Sequence, residues 1–178
     1  MAAILVTGRA GAGKSTLLRA VLETLPSAAG GFFSPEVRDA SGRRTGFDVV
    51  TLDGQTVPLA RVGAKGTHHL GRYGVDIAAL DRVGVPAIER AVEAGRLVVI
   101  DEIGKMELFS AAFQGAVIEV LRRHRPLLAT IMLAAHPFAD ELKAQPDTTL
   151  FELTEANRDD VRGLVEANVR AALGQFSV

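Results

Sequence analysis

The sequence has no cysteine, no tryptophan and one tyrosine. Without cysteine the chain can form no disulfide, no cysteine-ligated zinc site and no thiol nucleophile. No apolar run approaches the roughly 20 residues of a membrane-spanning helix. The net charge is −1, so no strong field draws the protein to nucleic acid or to a membrane surface. We therefore expect neither as a partner, and we predict a cytoplasmic location.

The 178 residues are 48% hydrophobic and 23% charged. These values are ordinary for a globular protein, and the length suits one domain with its own core, residues 1–178. The amino-terminal MAAILVTG has a short apolar run and no basic lead-in. It therefore predicts a first strand and not a signal peptide.

Apolar runs and helical spacings alternate along most of the chain. Predicted strands cover residues 2–7, 30–34, 96–100, 127–133 and 150–154; predicted helices cover 14–25, 86–94, 110–124, 137–144 and 155–173. This alternation is typical of an α/β fold with a mostly parallel sheet covered by helices on both faces, a three-layer sandwich.

One segment departs from the alternation. Asp53-Gly54 lies between the apolar runs FDVVTL and TVPLARV and predicts a β-hairpin at 47–62, inserted or added at an edge. The glycine-rich segment 63–74 that follows is expected to be an irregular, mobile loop. Its His68 and His69 have no third ligand in prospect, so a zinc site is not expected.

The segment GRAGAGKS lies between the first predicted strand and the first predicted helix. Gly8, Gly13, Lys14 and Ser15 have the spacing G-x-x-x-x-G-K-[ST] of a phosphate-binding P-loop. Glycines let the backbone amides turn toward phosphate oxygens, and the helix adds its positive end. Lys14 reaches the β- and γ-phosphates, and Ser15 offers a hydroxyl to Mg²⁺. A glycine-rich turn beside a chance lysine is the alternative, and the strand–loop–helix context disfavours it.

The nucleotide-binding residues predicted from this loop are Gly8, Arg9, Ala10, Gly11, Ala12, Gly13, Lys14, Ser15 and Thr16. Thr16 is expected beside the α-phosphate. Asn157 and Arg158, after the last predicted strand, are predicted to flank the base. An arginine plane can stack on any base, which would suit loose base selection. Alternatively, they are ordinary polar residues of a helix N-terminus.

Asp101 and Glu102 end the apolar strand LVVI. Charges in that position are costly unless they meet a cation, a polar ligand or water. A P-loop protein needs an acid at the end of a neighbouring strand for its magnesium shell. We therefore predict Asp101 as a metal ligand together with Ser15, and Glu102 as the group that aligns the attacking water. The alternatives are a cap or surface ion pair for Asp101 and simple solvation for Glu102.

DEIG also fits the Asp-x-x-Gly form of a GTPase switch. That interpretation requires a guanine-reading Asn-Lys-x-Asp late in the chain, and the nearest stretch, EANRDD, lacks the lysine. The GTPase interpretation therefore loses support.

Two cations are catalytic candidates because they follow predicted strands. Lys105 could bring positive charge to the γ-phosphate, or it could form an ion pair with Glu107. Arg38, in SPEVR, could stabilise transition-state charge with Glu36 as its orienting partner, or the two could form a salt-bridged loop.

Four further residues have weaker indications. Arg44 is interpreted as a hairpin-entry surface charge. Its place at the start of the segment R-x-GFDV nevertheless gives it a better claim to a role in the site than Arg43 has. Arg72 and Tyr73 could close over the site. Thr130 could sense the γ-phosphate, but a β-branched core residue is the simpler interpretation.

The motifs GFFSPEVR, RRTGFDVV, GRYGVD, VIDEIGKMEL and TEANRDD follow the P-loop in this order. With them the chain resembles, over nearly its whole length, the small P-loop nucleoside triphosphatases that include the human cancer-related enzyme and thermophile relatives. The resemblance implies slow, Mg²⁺-dependent hydrolysis of several nucleoside triphosphates on a RecA-like or kinase-like sheet. Residues 63–74 and 133–145 match poorly.

Three functions remain open at this point. The first is a hydrolase of nucleoside triphosphates with broad base specificity. The second is a nucleoside or small-molecule kinase that uses the same P-loop, and the third is a nucleotide-dependent switch with little turnover. A monomer or weak oligomer is expected for each.

Overall fold

The computed structural model describes residues 3–25, 29–65 and 68–174. The strands are β1 Ala3–Thr7, β2 Ala29–Phe33, β3 Glu36–Arg38, β4 Arg44–Thr51, β5 Thr56–Val62, β6 His68–Leu70, β7 Tyr73–Val75, β8 Leu97–Ile103, β9 Leu127–Ile131 and β10 Thr148–Glu152. The helices are α1 Lys14–Glu23, α2 Ile77–Ala79, α3 Val85–Glu93, α4 Ala111–Arg122, α5 Pro137–Lys143 and α6 Arg158–Gly174. A π-helical turn, Leu80–Gly84, joins α2 to α3, and a 3₁₀ turn, Glu107–Phe109, precedes α4.

Half of the sheet is parallel. Its strands lie in the order β10-β1-β9-β8-β2, and every pairing between these neighbours is parallel. β1 and β9 are buried along their whole length, as expected for apolar strands covered on both faces. The predicted mostly parallel α/β sheet is confirmed for this central part.

Helices cover both faces of the parallel strands. On one face, residues such as Leu5 and Ile100 pack against α3, α4 and α5. Their neighbours Ile4 and Val99 point to the other face and pack against α1 and α6. The alternation follows from the two-residue period of a strand and produces two apolar cores, one on each side of the sheet.

The other half of the sheet is an antiparallel extension, defined here as β3 to β7. β4 pairs antiparallel with β2, and β5, β7 and β6 follow in that order, while β3 pairs with the first part of β4. The Asp53-Gly54 turn joins β4 to β5, with Gly54 at φ 95. The extension is therefore larger than the predicted hairpin.

The predicted mobile loop at 63–74 is wrong for residues 68–70 and 73–74, which form β6 and β7. Gly74 allows the backbone to pass close to Ala64, because a Cβ on Gly74 would lie 2.2 Å from the Ala64 carbonyl oxygen. Tyr73 is buried. The sequence pattern of these short strands is weak because β7 depends on pairing with β5, and β6 on pairing with β7. Residues 66 and 67 lie outside the described part of the chain.

Two element boundaries differ from their predictions. The helix predicted at 86–94 is preceded by helical turns from Ile77, because the Asp76 carboxylate caps them by accepting a hydrogen bond from the Ala79 amide at 3.0 Å. β8 continues past Ile100 to Ile103, so Asp101 and Glu102 lie within the strand. The helix predicted from residue 110 has Ser110 as its N-cap, since the Ser110 hydroxyl accepts a hydrogen bond from the Phe113 amide at 2.9 Å. In residues 3–25, 29–65 and 68–174, no helix is both long and apolar enough to cross a bilayer.

Candidate active site

A cavity of about 830 Å³ opens at the carboxyl edge of the parallel strands. Its size is in the range of ligand-binding clefts. The P-loop forms one wall, and the segments after β2, β8 and β9 together with the first part of β4 form the others. Beyond the P-loop, its charged lining residues are Glu36, Arg44, Asp101, Glu102, Lys105 and Glu107. The fold therefore joins the two motifs that the sequence places almost ninety residues apart along the chain.

The P-loop adopts a conformation that requires glycine at two positions. A Cβ on Gly8 would lie 2.4 Å from the Leu153 carbonyl oxygen, and Gly13 has φ 98 at the start of α1. The Lys14 ammonium donates hydrogen bonds to the carbonyl oxygens of Gly8 at 3.0 Å and Arg9 at 3.3 Å. The positive charge therefore lies over the loop, beside the helix terminus that favours an anion.

Asp101 is 4% exposed and accepts a hydrogen bond from the Thr130 hydroxyl at 2.6 Å. Thr130 is fully buried on β9, whose Ala129 is the register partner of Ile100. The threonine therefore stands beside the acid and orients it. Sequence reasoning considered Thr130 only as a phosphate sensor or a core residue. The sequence signal for this role is the hydroxyl of Thr130, directly after Ala129. Asp101 comes directly after Ile100, the residue with which Ala129 pairs.

Glu102 is half-buried next to Asp101 and lines the cavity. Burial raises the pKa of Glu102; the Lys14 ammonium opposes this increase, and the Asp101 carboxylate adds to it. A carboxylate with a raised pKa is a better proton acceptor. The position suits a group that takes a proton from a water at the γ-phosphate.

Glu107 was missed as a site residue. It is 3% exposed, and burial, assisted by the charges of Glu102 and Asp101, raises the pKa of Glu107 to about 8. The Ser34 hydroxyl donates a hydrogen bond to the Glu107 carboxyl group at 3.2 Å, which by itself lowers the pKa of Glu107. Lys105 is exposed and makes no ion pair with Glu107. The alternative of a Lys105–Glu107 ion pair is therefore wrong, and Lys105 lines the cavity with its charge unpaired within the described residues.

The residues predicted to hold Mg²⁺ both line the cavity. Among the described residues no group of three or more His, Cys, Asp and Glu side chains could bind a metal. One hydroxyl, from Ser15, and one carboxylate, from Asp101, are nevertheless the kind of partial set that Mg²⁺ accepts, because it keeps several waters and binds substrate phosphates. The donors fit a metal that arrives with a nucleotide.

Glu36 joins two arginines that the structure places differently. Arg38 pairs with Glu36, donates to the Gly42 carbonyl oxygen at 2.7 Å, and lies outside the cavity lining. Arg44 lines the cavity and donates to Glu36 Oε1 at 2.6 Å. Burial raises the pKa of Glu36, but its bonds to Arg44 and Arg38 outweigh this effect and lower it. The structure thus brings Arg44, which sequence reasoning treated as a surface charge, to the site.

Asn157 and Arg158 lie on the outer side of the P-loop. The Asn157 side chain accepts from the Thr154 amide at 2.8 Å and donates to the Glu152 carbonyl oxygen at 3.0 Å, so it stabilises its own turn. Arg158 Nε donates to the Ala12 carbonyl oxygen at 2.8 Å. Arg158 also lines a second hollow of about 350 Å³ that borders Gly11, Thr16 and Leu17.

Sequence comparisons give one consistent family. The family described as NTPase matches residues 3–165 of the chain. The nucleoside-triphosphatase THEP1 of Thermotoga sp. (strain RQ2) is 40% identical over 158 residues, which is 89% of this chain and 90% of that protein. The cancer-related nucleoside-triphosphatase homolog of Bos taurus is 36% identical over 176 residues, 88% of this chain and 90% of that protein.

Two solved structures share the fold. The crystal structure of THEP1 from the hyperthermophile Aquifex aeolicus has a TM-score of 0.83 and 34% identity, covering 93% of this chain and 96% of that one. The solution structure of a human cancer-related nucleoside triphosphatase has a TM-score of 0.82 and 35% identity, covering 96% and 98%. The three proteins therefore share one fold over nearly their whole lengths.

Proposed function

This chain belongs to the NTPase family, and from that premise we propose that it is a Mg²⁺-dependent hydrolase that converts nucleoside triphosphates to diphosphates and phosphate. The enzyme class, a hydrolase, follows from the nucleoside-triphosphatase relatives. The observation that carries the proposal is the single cavity that holds both Lys14 and the Asp101–Glu102 pair. The fold, on this proposal, is the P-loop three-layer sandwich, with the antiparallel extension β3 to β7 where the sequence predicted an inserted β-hairpin.

Substrate binding follows from the P-loop geometry. The backbone amides of residues 8–16 and the N-terminus of α1 receive the phosphate oxygens, and Lys14 binds the β- and γ-phosphates. Ser15 and Asp101 would hold Mg²⁺, and Thr130 keeps the Asp101 carboxylate oriented. When bound, Mg²⁺ neutralises charge on the β- and γ-phosphate oxygens.

Glu102 acts on the water. It aligns a water molecule opposite the β–γ bridging oxygen and accepts a proton as the water oxygen bonds to the γ-phosphorus. The bond between the γ-phosphorus and the bridging oxygen breaks, and the diphosphate leaves with the electron pair. The proton on Glu102 then passes to solvent or to the phosphate product.

The cations Lys105 and Arg38 have different proposed parts. Lys105 adds positive charge at the outer edge of the cavity, where it attracts the γ-phosphate. Arg38 lies outside the cavity lining, and we propose for it only an exposed ion pair with Glu36 and no part in the reaction.

The base is proposed to lie in the hollow beside Arg158, with Asn157 holding the turn that carries this arginine. A guanidinium plane and apolar wall residues such as Leu17 favour stacking over edge recognition. Broad use of ATP and GTP follows from such a site. A cytoplasmic location and a monomeric or weakly oligomeric state remain predictions.

Phosphate release from Mg-ATP and Mg-GTP tests this function, with and without added nucleosides. We expect release without an acceptor and its loss in EDTA. Lys14→Ala should lose both nucleotide binding and turnover, whereas Lys143→Ala, a lysine remote on α5 that pairs with Asp140, should behave as the wild type. Release only when a nucleoside is present would indicate a kinase, and tight binding without turnover would indicate a switch.

A further inference from the structure

We propose that Arg44 is the cation that stabilises the charge developing on the γ-phosphoryl oxygens, and that Glu36 and Tyr73 hold it in position. This inference rests on the proposed hydrolysis and names the residue that completes its site. It assigns to the antiparallel extension a direct part in the reaction.

The course of β4 brings Arg44 to the phosphate edge. Phe33, the last residue of β2, pairs with Asp101 on one side and with Val50 of β4 on the other. Because β4 runs antiparallel to β2, its earlier residues extend beyond the carboxyl edge of the parallel strands. Arg44 is the first residue of β4, and it lines the same cavity as Lys14 and Glu102.

The Arg44 guanidinium is held on two of its nitrogens. Nη1 donates to Glu36 Oε1 at 2.6 Å, and Nε donates to the Tyr73 hydroxyl at 3.0 Å. The Phe47 ring, 5.2 Å from the guanidinium carbon, contributes a cation–π contact. In the described part of the chain Nη2 donates to no protein group. Two of the three guanidinium nitrogens are therefore fixed, and the third remains for a phosphate oxygen.

A second set of contacts supports this hold. Arg72 Nη2 donates to the Arg44 carbonyl oxygen at 2.8 Å and to the Tyr73 hydroxyl at 3.2 Å. The Phe47 and Tyr73 rings pack edge to face, with centroids 5.5 Å apart. The backbone and the side chain of Arg44 are thus both positioned before a substrate arrives.

Such preorganisation distinguishes Arg44 from the other cations. Phosphoryl transfer spreads charge over the three equatorial γ-oxygens, and a donor fixed beforehand stabilises that charge without reorganisation. Lys105 is exposed and has no bond in the described residues that would hold it. Arg38 lies outside the cavity lining. Arg9 lines the cavity from the P-loop, but its side chain is exposed and donates to no group among the described residues. Lys14 already serves the ground-state phosphates, so Arg44 is the preorganised cation for the transition state.

The test compares Arg44→Ala with Arg38→Ala, since both arginines pair with Glu36 but only one lines the cavity. We expect Arg44→Ala to lower kcat by about 10²- to 10³-fold with little change in KM. Added guanidinium should restore part of the rate. Arg38→Ala should stay within about threefold of the wild type, as expected for an exposed ion pair.

A binding measurement with ADP and aluminium fluoride, a mimic of the transferring phosphoryl group, separates chemistry from folding. Arg44→Ala should bind Mg-ADP as the wild type does but lose the additional affinity that aluminium fluoride confers. Arg44→Lys, which keeps the charge without the fork, should give an intermediate loss and serves if the alanine variant does not fold.

Tyr73→Phe tests the positioning role. Loss of the hydroxyl should lower kcat about tenfold while KM stays unchanged, because the hydrogen bonds that Arg44 Nε and Arg72 Nη2 donate to it are removed. The inference is overturned if Arg44→Ala keeps its kcat and its aluminium fluoride complex, or if Arg38→Ala loses as much. A wild-type protein that releases no phosphate would instead overturn the proposed hydrolysis, and the aluminium fluoride comparison would still report on Arg44.

Discussion

The parallel strands and the antiparallel extension meet at one cavity, but they contribute different kinds of residue. The parallel half supplies Asp101, Glu102 and Thr130 from its strands and Lys14 from the start of α1. The extension supplies Arg44 and Glu36 from exposed or half-exposed positions, together with the buried Tyr73. On the proposed function, the parallel half binds Mg²⁺ and nucleotide and positions the attacking water, and the extension adds the cation that stabilises the transition state.

Charge is distributed unevenly between the two regions. On the parallel side three carboxyl groups, Asp101, Glu102 and Glu107, gather at the cavity that Lys14 also lines. On the extension Arg38 and Arg44 share the single carboxylate of Glu36. On the proposed function, Mg²⁺ would face the carboxylates of the parallel side, and the phosphate oxygens would face Lys14 and Arg44.

Glu102→Gln should have the largest effect and would sharpen the division within the parallel half itself. Glutamine cannot accept a proton, so we expect turnover to fall by about 10²- to 10⁴-fold while nucleotide affinity stays near that of the wild type. Single-turnover phosphate release and calorimetric binding measure the two quantities. The exposed Glu141→Gln is the matched control. Lost binding with unchanged turnover per bound nucleotide would show that Glu102, and not Asp101 alone, holds the metal.

Glu107→Gln tests the junction between the two regions, because Glu107 is bonded to Ser34, which follows the strand β2 that both halves share. The pKa of Glu107 is raised from 4.5 to about 8 in the folded protein. Between these values the folded chain keeps a proton that the unfolded chain releases, so stability falls as the pH rises from 4.5 toward 8 and is level above that. The loss is on the order of a few kcal/mol.

In Glu107→Gln this contribution to the slope is absent, so the variant should gain stability relative to the wild type between pH 5 and pH 8. Urea unfolding in EDTA without nucleotide measures the difference, because metal and phosphate then make no contribution. Glu141→Gln should keep the wild-type slope. Equal slopes in Glu107→Gln and the wild type would show that Glu107 is ionised in the folded protein.

Thr130→Val should have the smallest effect, and we expect that effect on Mg²⁺ binding alone. The valine keeps the volume but removes the hydrogen bond to Asp101, so half-saturating Mg²⁺ should rise about tenfold, with kcat at saturating Mg²⁺ near normal. A Mg²⁺ titration of phosphate release measures this change. Thr56→Val, at an exposed position on β5, is the control. A lowered kcat at saturating Mg²⁺ would give Thr130 a part in the chemical step beyond holding Asp101.

Local patterns along the sequence predicted the parallel half well. The apolar runs of β1, β8 and β9 and the helical spacing of α1 and α4 lie close to their predicted positions. The strands β6 and β7 were missed, because strands of three residues carry too few side chains to show a two-residue period. The helical turns from Ile77 were also missed, since only their Asp76 cap signals them.

The site divides in the same way. The P-loop and the Asp101–Glu102 pair could be found from the sequence, because each is a run of consecutive residues whose spacing carries the chemistry. Glu107 and Thr130 could not be found in this way. The pKa of Glu107 is raised because the residue is buried beside two other carboxyl groups, and Thr130 meets Asp101 because of the register between β8 and β9. Neither burial nor register is visible in a short stretch of sequence.

The choice between Arg38 and Arg44 shows most directly why part of the site depends on tertiary structure. Both lie near the second strand, and the sequence favoured Arg38 as the catalytic cation. The pairing of β2 with β4, the antiparallel direction of β4 and the hydroxyl of Tyr73 from β7 place Arg44 in the cavity instead. Consecutive residues specify a phosphate loop and a strand that ends in acids. Which arginine reaches the phosphate depends on contacts between strands far apart in the chain, and these exist only after the sheet has formed.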